Sequence, residues 1–593
     1  MDGTATDAPV LGVARSVTGR RWIWRPSDAR TGLGIAQRLG LPEMVGRLLA
    51  ARGVGLDAAA AYLDPTLRAL MPDPASLMDM DAAADRIAAA VRSGEHVAVF
   101  GDYDVDGACS GALMSRLLRD LGCEVTPYVP DRLKEGYGPN APAIAALCDR
   151  GASLIVCVDC GIAAAEALAA AEGRADVVVL DHHKAEGPVP RILAAVNPNR
   201  LDCGSGLHHV CAAAVAFLAG AATVRVLRRA GWFERRPEPD LLGLLDLVAL
   251  ATVCDVMPLT GFNRALVTQG LKVMARRGRA GIAALLDVTG ARDAPTAHTL
   301  GFLLGPRINA SGRIGEPDLG LRLLLCEDPV EARAMAEKLD SVNKRRQEVE
   351  GEVLAAAHAM AERQAEEGRA VLLLVAEGWH PGVVGIVAGR MKERFNRPVC
   401  VAGVADGLAK GSGRSVAGVD LGSAVIAARQ AGLLETGGGH AMAAGFSFRA
   451  GREAEVHAFL EERLRHAALL PAAADLMVEG AINVVAAQPA LAHEVGRLAP
   501  FGPGNEEPIF VVQRARVVKA DRVGKEGATI RAIVEGEDGG RLKTICFRAK
   551  DGPLAQALLA QDRLPMHLCG YLRAEQWNGH TSASLQVVDA APA

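Results

Sequence analysis

Four short apolar runs punctuate the chain between residues 95 and 200. Residues 97–100, 124–129, 154–158 and 177–180 are rich in Val, Ile and Leu, and helical segments lie between them. Runs of that length alternating with helix predict a parallel sheet covered by helices. A further helical portion spans about 205–325 and includes residues 241–251. From 329 to 367 the pattern becomes a single charged segment interrupted only by Gly351. Met335, Leu339, Val342, Val349, Val353 and Met360 recur there mostly at three- and four-residue intervals. That periodicity predicts one long helix with one apolar stripe, about 58 Å long at 1.5 Å per residue. It reads as a strut between two lobes. Its basic cluster, Lys344, Arg345 and Arg346, is assigned to a solvated face, with the wall of a groove as the alternative.

A second α/β unit starts at the apolar run 370–375 and extends to about 465. Residues 472–593 then alternate in short β-like stretches, 509–512, 528–534 and 542–547, with turns rich in Gly and charge. Such a pattern suits a small barrel. Residues 1 to about 85 read as small helices, with Trp22 and Trp24 near the start and helical periodicity from 32 to 61. The expected fold class is therefore α/β: two α/β lobes joined by a long helix, plus a C-terminal β-barrel. The expected divisions are 1–75, 76–325, 326–369, 370–468 and 469–593.

Composition narrows the class further. At 593 residues the chain is too long for one core. Hydrophobic residues at 50% and charged residues at 23% are ordinary for a globular protein. A net charge of -4 argues against coating nucleic acid through bulk charge, yet allows a local basic channel. The absence of a signal peptide or an apolar span, with twelve cysteines expected as thiols, predicts the cytoplasm and no membrane. Cys157 and Cys160 form a lone CxxC without further ligands nearby, so they are expected as buried small residues rather than a zinc site.

The chemistry gathers at the ends of the apolar runs. FGDYDVDG, 100–107, places Asp102, Asp104 and Asp106 directly behind the first run. Carboxylates crowded there raise one another's pKa unless a cation compensates. The third run ends in Asp159, the fourth in Asp181-His182-His183, and the stretch 247–253 leads to Asp255. Ligands of an open parallel sheet gather at the carboxyl ends of its strands, so these residues are expected to converge. Aspartates with a histidine suit Mn²⁺ or Mg²⁺, and there are enough carboxylates for two ions, with Asp159 central between them. Two ions about 3.5–4 Å apart would polarise a phosphate, generate hydroxide and stabilise the leaving oxygen.

The motifs GDYDVDG, VDCG, DHHK and CDVMPL, in that order, resemble those of the DHH phosphoesterase superfamily. GPRINASGRIG (305–315), EGWHPGVVGIVAGR (377–390), GSGRS (411–415) and GGGHAMAAG (437–445) resemble its RecJ branch, and FGPGNEEPIF (501–510) resembles the opening of that branch's oligonucleotide-binding (OB) barrel. The resemblance implies a single-strand-specific 5′→3′ DNA exonuclease of DNA repair and recombination that uses Mn²⁺ or Mg²⁺ and releases 5′-mononucleotides. It puts metal-ligand roles on Asp104, Asp106, Asp159 as bridge, His182 and Asp255, with Asp102 in the same motif. His183 would orient the scissile phosphate or assist proton transfer. Phe100 stands where some small phosphoesterases of the superfamily carry a metal-binding histidine, which sets those relatives apart.

Arginine suits a terminal phosphate because its planar fork pairs two oxygens. The resemblance places Arg132, Ser412 and Arg414 around the 5′-phosphate. Arg307, Asn309 and Arg313 read as contacts to the scissile or neighbouring phosphate, the alternative being a helix-start turn pinned by internal hydrogen bonds. His440 could also contact phosphate. In the barrel, Lys519, Arg522, Lys525 and Arg548, with Arg531, Lys543 and Lys550, would hold a single strand, and Phe547, Tyr571 and Trp577 could stack bases. No phosphate loop for ATP and no dinucleotide fingerprint is present. A helicase and a single-strand-binding protein are candidate partners beside single-stranded DNA, and a monomer is expected. Two other readings are a DHH phosphoesterase for short oligonucleotides or small nucleotides, and a catalytically silent scaffold. The extra barrel argues against the first, and the complete set of acids against the second.

Overall fold

The computed structural model describes residues 8–132, 134–185, 187–468, 475–524, 527–549, 551–560, 564–577 and 580–593. The chain forms two compact units, one of residues 74–255 and 270–471, the other of residues 1–73, 256–269 and 472–593.

The first lobe of the larger unit is a five-stranded parallel sheet. Its strand order is Glu124–Tyr128, His96–Gly101, Leu154–Val158, Asp176–Leu180, Ala194–Val196. Val97, Val99, Phe100, Ile155, Val156, Val178 and Val179 are wholly buried, as expected of strands covered on both faces. The fifth strand was not foreseen, because Ala-Ala-Val is too short and too poor in β-branched residues to announce itself. The order in the sheet reverses between His96–Gly101 and Leu154–Val158. In open α/β sheets, a crevice opens at the carboxyl ends of the strands at such a reversal.

The long helix runs Pro329–Glu366, and Asp328 caps it by accepting from the amides of Val330 and Glu331. Its buried stripe includes Leu339 and Val353 of the expected apolar positions, with Met335, Val342, Val349 and Met360 half-buried, but is not apolar throughout. Small alanines (Ala332, Ala336, Ala357, Ala361) flank a polar middle of Asn343, Arg346 and Glu350. Lys344 and Arg345 lie on the exposed side, paired with Asp340 and Glu348. Arg346 turns inward to Glu350 and Asn343, and Arg390 reaches the same Glu350 at 2.7 Å. The second lobe is a five-stranded mixed sheet, ordered Thr436–His440, Ala443–Arg449, Leu408–Arg414, Val399–Ala405, Leu372–Glu377. The long helix and helix Pro381–Phe395 share a core with its parallel strands. Helices Leu421–Gln430 and Glu453–Ala468 cover its other face.

The smaller unit is a closed barrel. Strands Phe510–Val523, Thr529–Glu535, Arg541–Cys546, His580–Pro592 and Met566–Trp577 pair in sequence, and the last closes onto the first. The N-terminal segment departs from the all-helical expectation. Trp22–Trp24 is a strand paired in parallel with Leu476–Val478. Trp22 is fully buried, and its Nε1 donates to Asp589 at 2.9 Å. Helices Ala29–Leu39 and Glu43–Ala51 send Ile35, Val45, Leu48 and Leu49 into the same core as Phe510 and Val512. Among the described residues no helix is long and apolar enough to cross a membrane.

Candidate metal centre

Strand His96–Gly101 ends at the aspartate loop. Asp104 caps helix Val105–Asp120 by accepting from Gly107 N at 3.0 Å. The loop folds back so closely that a Cβ on Gly107 would stand 2.4 Å from the Asp102 carbonyl, so that position requires glycine. Asp106, in the first turn, is 1% exposed. It accepts from the amides of Ala212 and Ala213 at 2.7 and 2.9 Å, at the start of helix Ala212–Arg229. Asp159 closes strand Leu154–Val158 with φ 59°, a left-handed conformation uncommon outside glycine that aspartate nonetheless tolerates. Asp255 follows helix Leu245–Cys254.

These side chains meet. Metal-ligating atoms of Asp102, Asp104 and Asp159 lie within 4.8 Å of one another, as do those of Asp106, His182 and Asp255, and those of Asp159, His182 and His183. His182 Nε2 is 3.3 Å from Asp159 Oδ1, 3.5 Å from Asp255 Oδ2 and 3.7 Å from Asp106 Oδ2. Asp102 Oδ1, Asp159 Oδ1, His182 Nε2 and Asp255 Oδ2 are buried without a hydrogen-bond partner. A folded protein rarely leaves four such atoms orphaned in one place, and a set of oxygens and an imidazole aimed at one another fits divalent cations. Electrostatics agrees. Burial, then Asp104, pushes Asp102 up to about 7. Burial, then Asp106 and Asp104, pushes Asp255 up to about 8. Asp106 and Asp159 are raised as well, chiefly by burial.

Asp181 has a different position from its neighbours in the triplet. Its carboxylate accepts from the amides of Ile162, His182 and His183 at 3.1, 2.7 and 3.1 Å, and from His183 Nδ1 at 2.8 Å. It is a bracket that aims both histidines. Burial disfavours charge on His183, but the Asp181 carboxylate outweighs it and lifts the imidazole to about 9. Asn197 and Asn199 donate to the carbonyls of His183 and His182. The Tyr137 hydroxyl lies 3.1 Å from the His183 ring and donates to Asp159 O at 3.2 Å. Neither Asn197, Asn199 nor Tyr137 was singled out from sequence. The available signals were an aromatic inside the glycine turn EGYG and the VNPN that follows the fifth strand.

The basic residues divide. The Arg132 guanidinium lies 5.3 Å from the centre of the Tyr103 ring, beside the aspartate loop. Arg313 Nη1 donates to Gly382 O at 3.1 Å. Burial, then Arg132 and Arg346, pushes Arg313 down to about 10, while Asp104 and Tyr103 oppose that. Arg414 Nη1 donates to Ser412 Oγ and to Gly413 O, each at 2.8 Å, and Gly385 of helix Pro381–Phe395 leaves room for both side chains. Arg307 departs from expectation. Its guanidinium is held by Asp340 at 2.8–2.9 Å and by the Leu303 carbonyl, the internal pinning that stood as the alternative. Asn309 lies one turn before Arg313 on helix Gly305–Ile314, and exposed His440 ends an edge strand of the second lobe. In the barrel, Lys519 and Arg522 pair with Asp521 and Asp551 at 3.5 and 2.8 Å. Arg548 and Phe547 are exposed, and Tyr571 lies under Arg573. Lys525, Lys550 and the Trp577 side chain lie outside the described residues. Cys157 and Cys160 are buried, and burial pushes both thiols up, as expected of inert packing residues.

Residues 96–252 match the family described as DHH family, N-terminal domain, residues 368–466 the DHHA1 domain, and residues 478–589 the RecJ OB domain. The single-stranded-DNA-specific exonuclease RecJ of Dickeya dadantii is 39% identical over 523 residues, spanning 85% of this chain and 88% of that protein. Its counterpart in Bacillus subtilis is 33% identical over 580 residues, 96% of this chain and 71% of that protein. Among solved structures, RecJ of Thermus thermophilus in complex with Mn²⁺ superposes with a TM-score of 0.78 at 30% identity, covering 96% of this chain and 79% of that one. The Mg²⁺ complex of the same protein gives 0.74 at 29% identity, covering 96% of this chain and 78% of that one. With relatives of this similarity along nearly its whole length, the chain belongs to the RecJ family of DHH proteins.

Proposed function

We propose that the chain is a metal-dependent exonuclease specific for single-stranded DNA, hydrolysing phosphodiester bonds from the 5′ end and releasing 5′-mononucleotides. The observation that carries the reading is the set of orphaned ligand atoms on Asp102, Asp159 and His182 at strand ends and on Asp255 at a helix end, in a chain whose curated relatives are named single-stranded-DNA-specific exonucleases. Asp102, Asp104, Asp106, Asp159, His182 and Asp255 would hold two Mn²⁺ or Mg²⁺ ions, with Asp159 shared between them. The ions, when bound, supply an activated water and neutralise charge on the scissile phosphate.

The remaining work falls to the protein. His183, aimed by the Asp181 carboxylate at 2.8 Å, holds the scissile phosphate and, when protonated, can hand a proton to the departing 3′-oxygen. Arg132 and Arg414, with Ser412, bind the terminal 5′-phosphate and so set polarity, because the nucleotide they anchor is the one cut away. Arg313 and Asn309 steady the neighbouring phosphate. The barrel carries the strand beyond, with a helicase and a single-strand-binding protein as the proposed suppliers of that strand.

The test incubates pure protein and Mn²⁺ with a 30-mer labelled at either end, as single strand and as duplex. Early release of labelled mononucleotide from the 5′ end of the single strand alone supports the reading. Release from the 3′ end first, or equal attack on duplex, overturns it. Activity confined to dinucleotides or mononucleotide derivatives would point instead to a phosphoesterase for small nucleotides.

A further inference from the structure

Phe302 is 69% exposed, and no described Phe, Tyr or Trp is more so. A single exposed apolar side chain is ordinary, but this one is held in a particular way. Residues Thr299–Leu304 form a π-helical turn that runs directly into helix Gly305–Ile314, and such turns occur disproportionately at functional sites. Its start is locked by a reciprocal pair: Thr296 N donates to Thr299 Oγ1 at 3.1 Å and Thr299 N to Thr296 Oγ1 at 3.3 Å. Its inner side is pressed onto helix Leu245–Cys254, whose end delivers Asp255. A Cβ on Gly305 would stand 2.4 Å from Cys254 Sγ, one on Gly301 3.4 Å from Val253, and Cys254 Sγ donates to Leu300 O at 3.5 Å. With 301 and 305 facing inward, 302 faces out. The Phe302 ring is stacked on His298, itself exposed, at 4.7 Å and 21°, so the two rings stand together as one exposed aromatic plate. The same continuous helix carries Gly312 and Arg313 ten and eleven residues on, about 16 Å away along the axis, where a Cβ on Gly312 would stand 2.8 Å from Tyr103 O in the aspartate loop.

We propose that the Phe302–His298 plate is a stacking platform for one base of the single strand, on the 3′ side of the scissile phosphate. This rests on the proposed function. The occupant follows from chemistry. An unpaired base is a flat ring that stacks on an aromatic face regardless of sequence, and the helix that carries the plate packs onto the aspartate loop at Gly312. The side follows from the product. Release of mononucleotides leaves a single residue on the 5′ side, and the groups assigned to its terminal phosphate include Ser412 and Arg414 of the second lobe. That residue is held by Arg132, Ser412 and Arg414, and Phe302 lies about 16 Å along its helix from Arg313, which steadies the next phosphate, so the base that it takes belongs to the strand that remains. The platform would hold that strand in place between cuts without reading its sequence.

The experiment measures KM and kcat with Mn²⁺ on oligonucleotides carrying one abasic site at each of the second to sixth positions from the 5′ end. The proteins are the wild type, Phe302→Ala, Phe302→Leu and Phe302→Trp. At one position the missing base should raise the wild-type KM by about 5- to 100-fold, the range for losing one stacked base. Phe302→Ala should show that same loss on the intact strand and no further loss at that position. Phe302→Trp should behave as wild type, and Phe302→Leu as Phe302→Ala, which separates stacking from packing. Losses that add at every position, a Phe302→Ala enzyme within twofold of wild type, or full rescue by leucine would overturn the proposal. A wild type that hydrolyses no single strand would overturn the proposed function, and this inference with it.

Discussion

Asp159→Asn turns one carboxylate oxygen into an amide at the residue shared by two of the candidate ligand triads. Asparagine accepts the left-handed backbone at φ 59° as readily as aspartate, and it fills the same space, so the fold should survive. Two unit charges at 4.8 Å, the outer spacing within each triad, repel by about 3–4 kcal/mol at an effective dielectric of 20. Without metal, burial first and that repulsion second keep protons on the native cluster, Asp102 up to about 7 and Asp255 up to about 8. The unfolded chain releases the same protons near pH ~3.9. The native state therefore binds more protons between these limits, and stability of the metal-free protein should fall as pH rises from about 4 through 8. Asp159→Asn removes one charge from the cluster, so its fall should be shallower and the metal-free variant should melt above the wild type near pH 8.5. Saturating Mn²⁺ should reverse the order. It should stabilise the wild type by about 3–4 kcal/mol at a hundred to a thousand times Kd, and the variant by much less. Calorimetry at about pH 5.5 and 8.5, with EDTA or Mn²⁺, reads both effects. Hydrolysis should drop by more than about 100-fold, the upper end of what losing an outer-shell partner costs. Equal stabilisation of both proteins by Mn²⁺, or a metal-free wild type more stable at the higher pH, would refute the reasoning.

Asp181→Asn leaves the ligands in place but removes the negative charge and one of the two acceptor oxygens that hold three amides and His183. Turnover should fall about 10- to 100-fold with Mn²⁺ affinity changed less, and the His183 charge, kept up to about 9 in the wild type, should be lost at lower pH in a histidine titration by NMR. Arg414→Ala should raise KM about 10-fold for 5′-phosphorylated ends, as expected for a lost charge-assisted hydrogen bond, and barely alter KM for 5′-hydroxyl ends; equal effects on the two would sink the anchor. Arg307→Ala should cost about 1–3 kcal/mol in urea unfolding, because Asp340 loses its buried partner, while KM on single strands stays within about twofold of the wild type. A large KM effect would return Arg307 to the phosphate.

The lobes, the long helix and the barrel were legible because buried parallel strands are nearly continuous apolar runs, and because 38 helical residues leave a long periodic trace. The acid ends were legible for the same reason: a carboxylate directly behind a buried run has only the sheet's carboxyl edge to occupy. Partner choice was not. Nothing local in the sequence distinguishes Arg307, tied to Asp340 on another helix, from Arg313, which donates to the Gly382 carbonyl, because their partners lie 33 and 69 residues away. Asp181 looked like a third ligand-type residue of its triplet, and only the backbone amides converging on it show a bracket. The polar middle of the long helix was hidden because Arg346 and Glu350 satisfy each other at i, i+4, a spacing equally common on solvated faces. The strand at Trp22 depends on a partner some 450 residues away, beyond any local pattern.

The central claim is that the aspartates and His182 at the ends of three strands and one helix hold two divalent cations. Anomalous scattering from crystals grown with Mn²⁺ tests it directly. The account predicts two peaks about 3.5–4 Å apart, within ligand distance of Asp102, Asp104, Asp106, Asp159, His182 and Asp255, and both lost in Asp159→Asn or reduced to one. A single peak in the wild type, or peaks away from these residues, would contradict it.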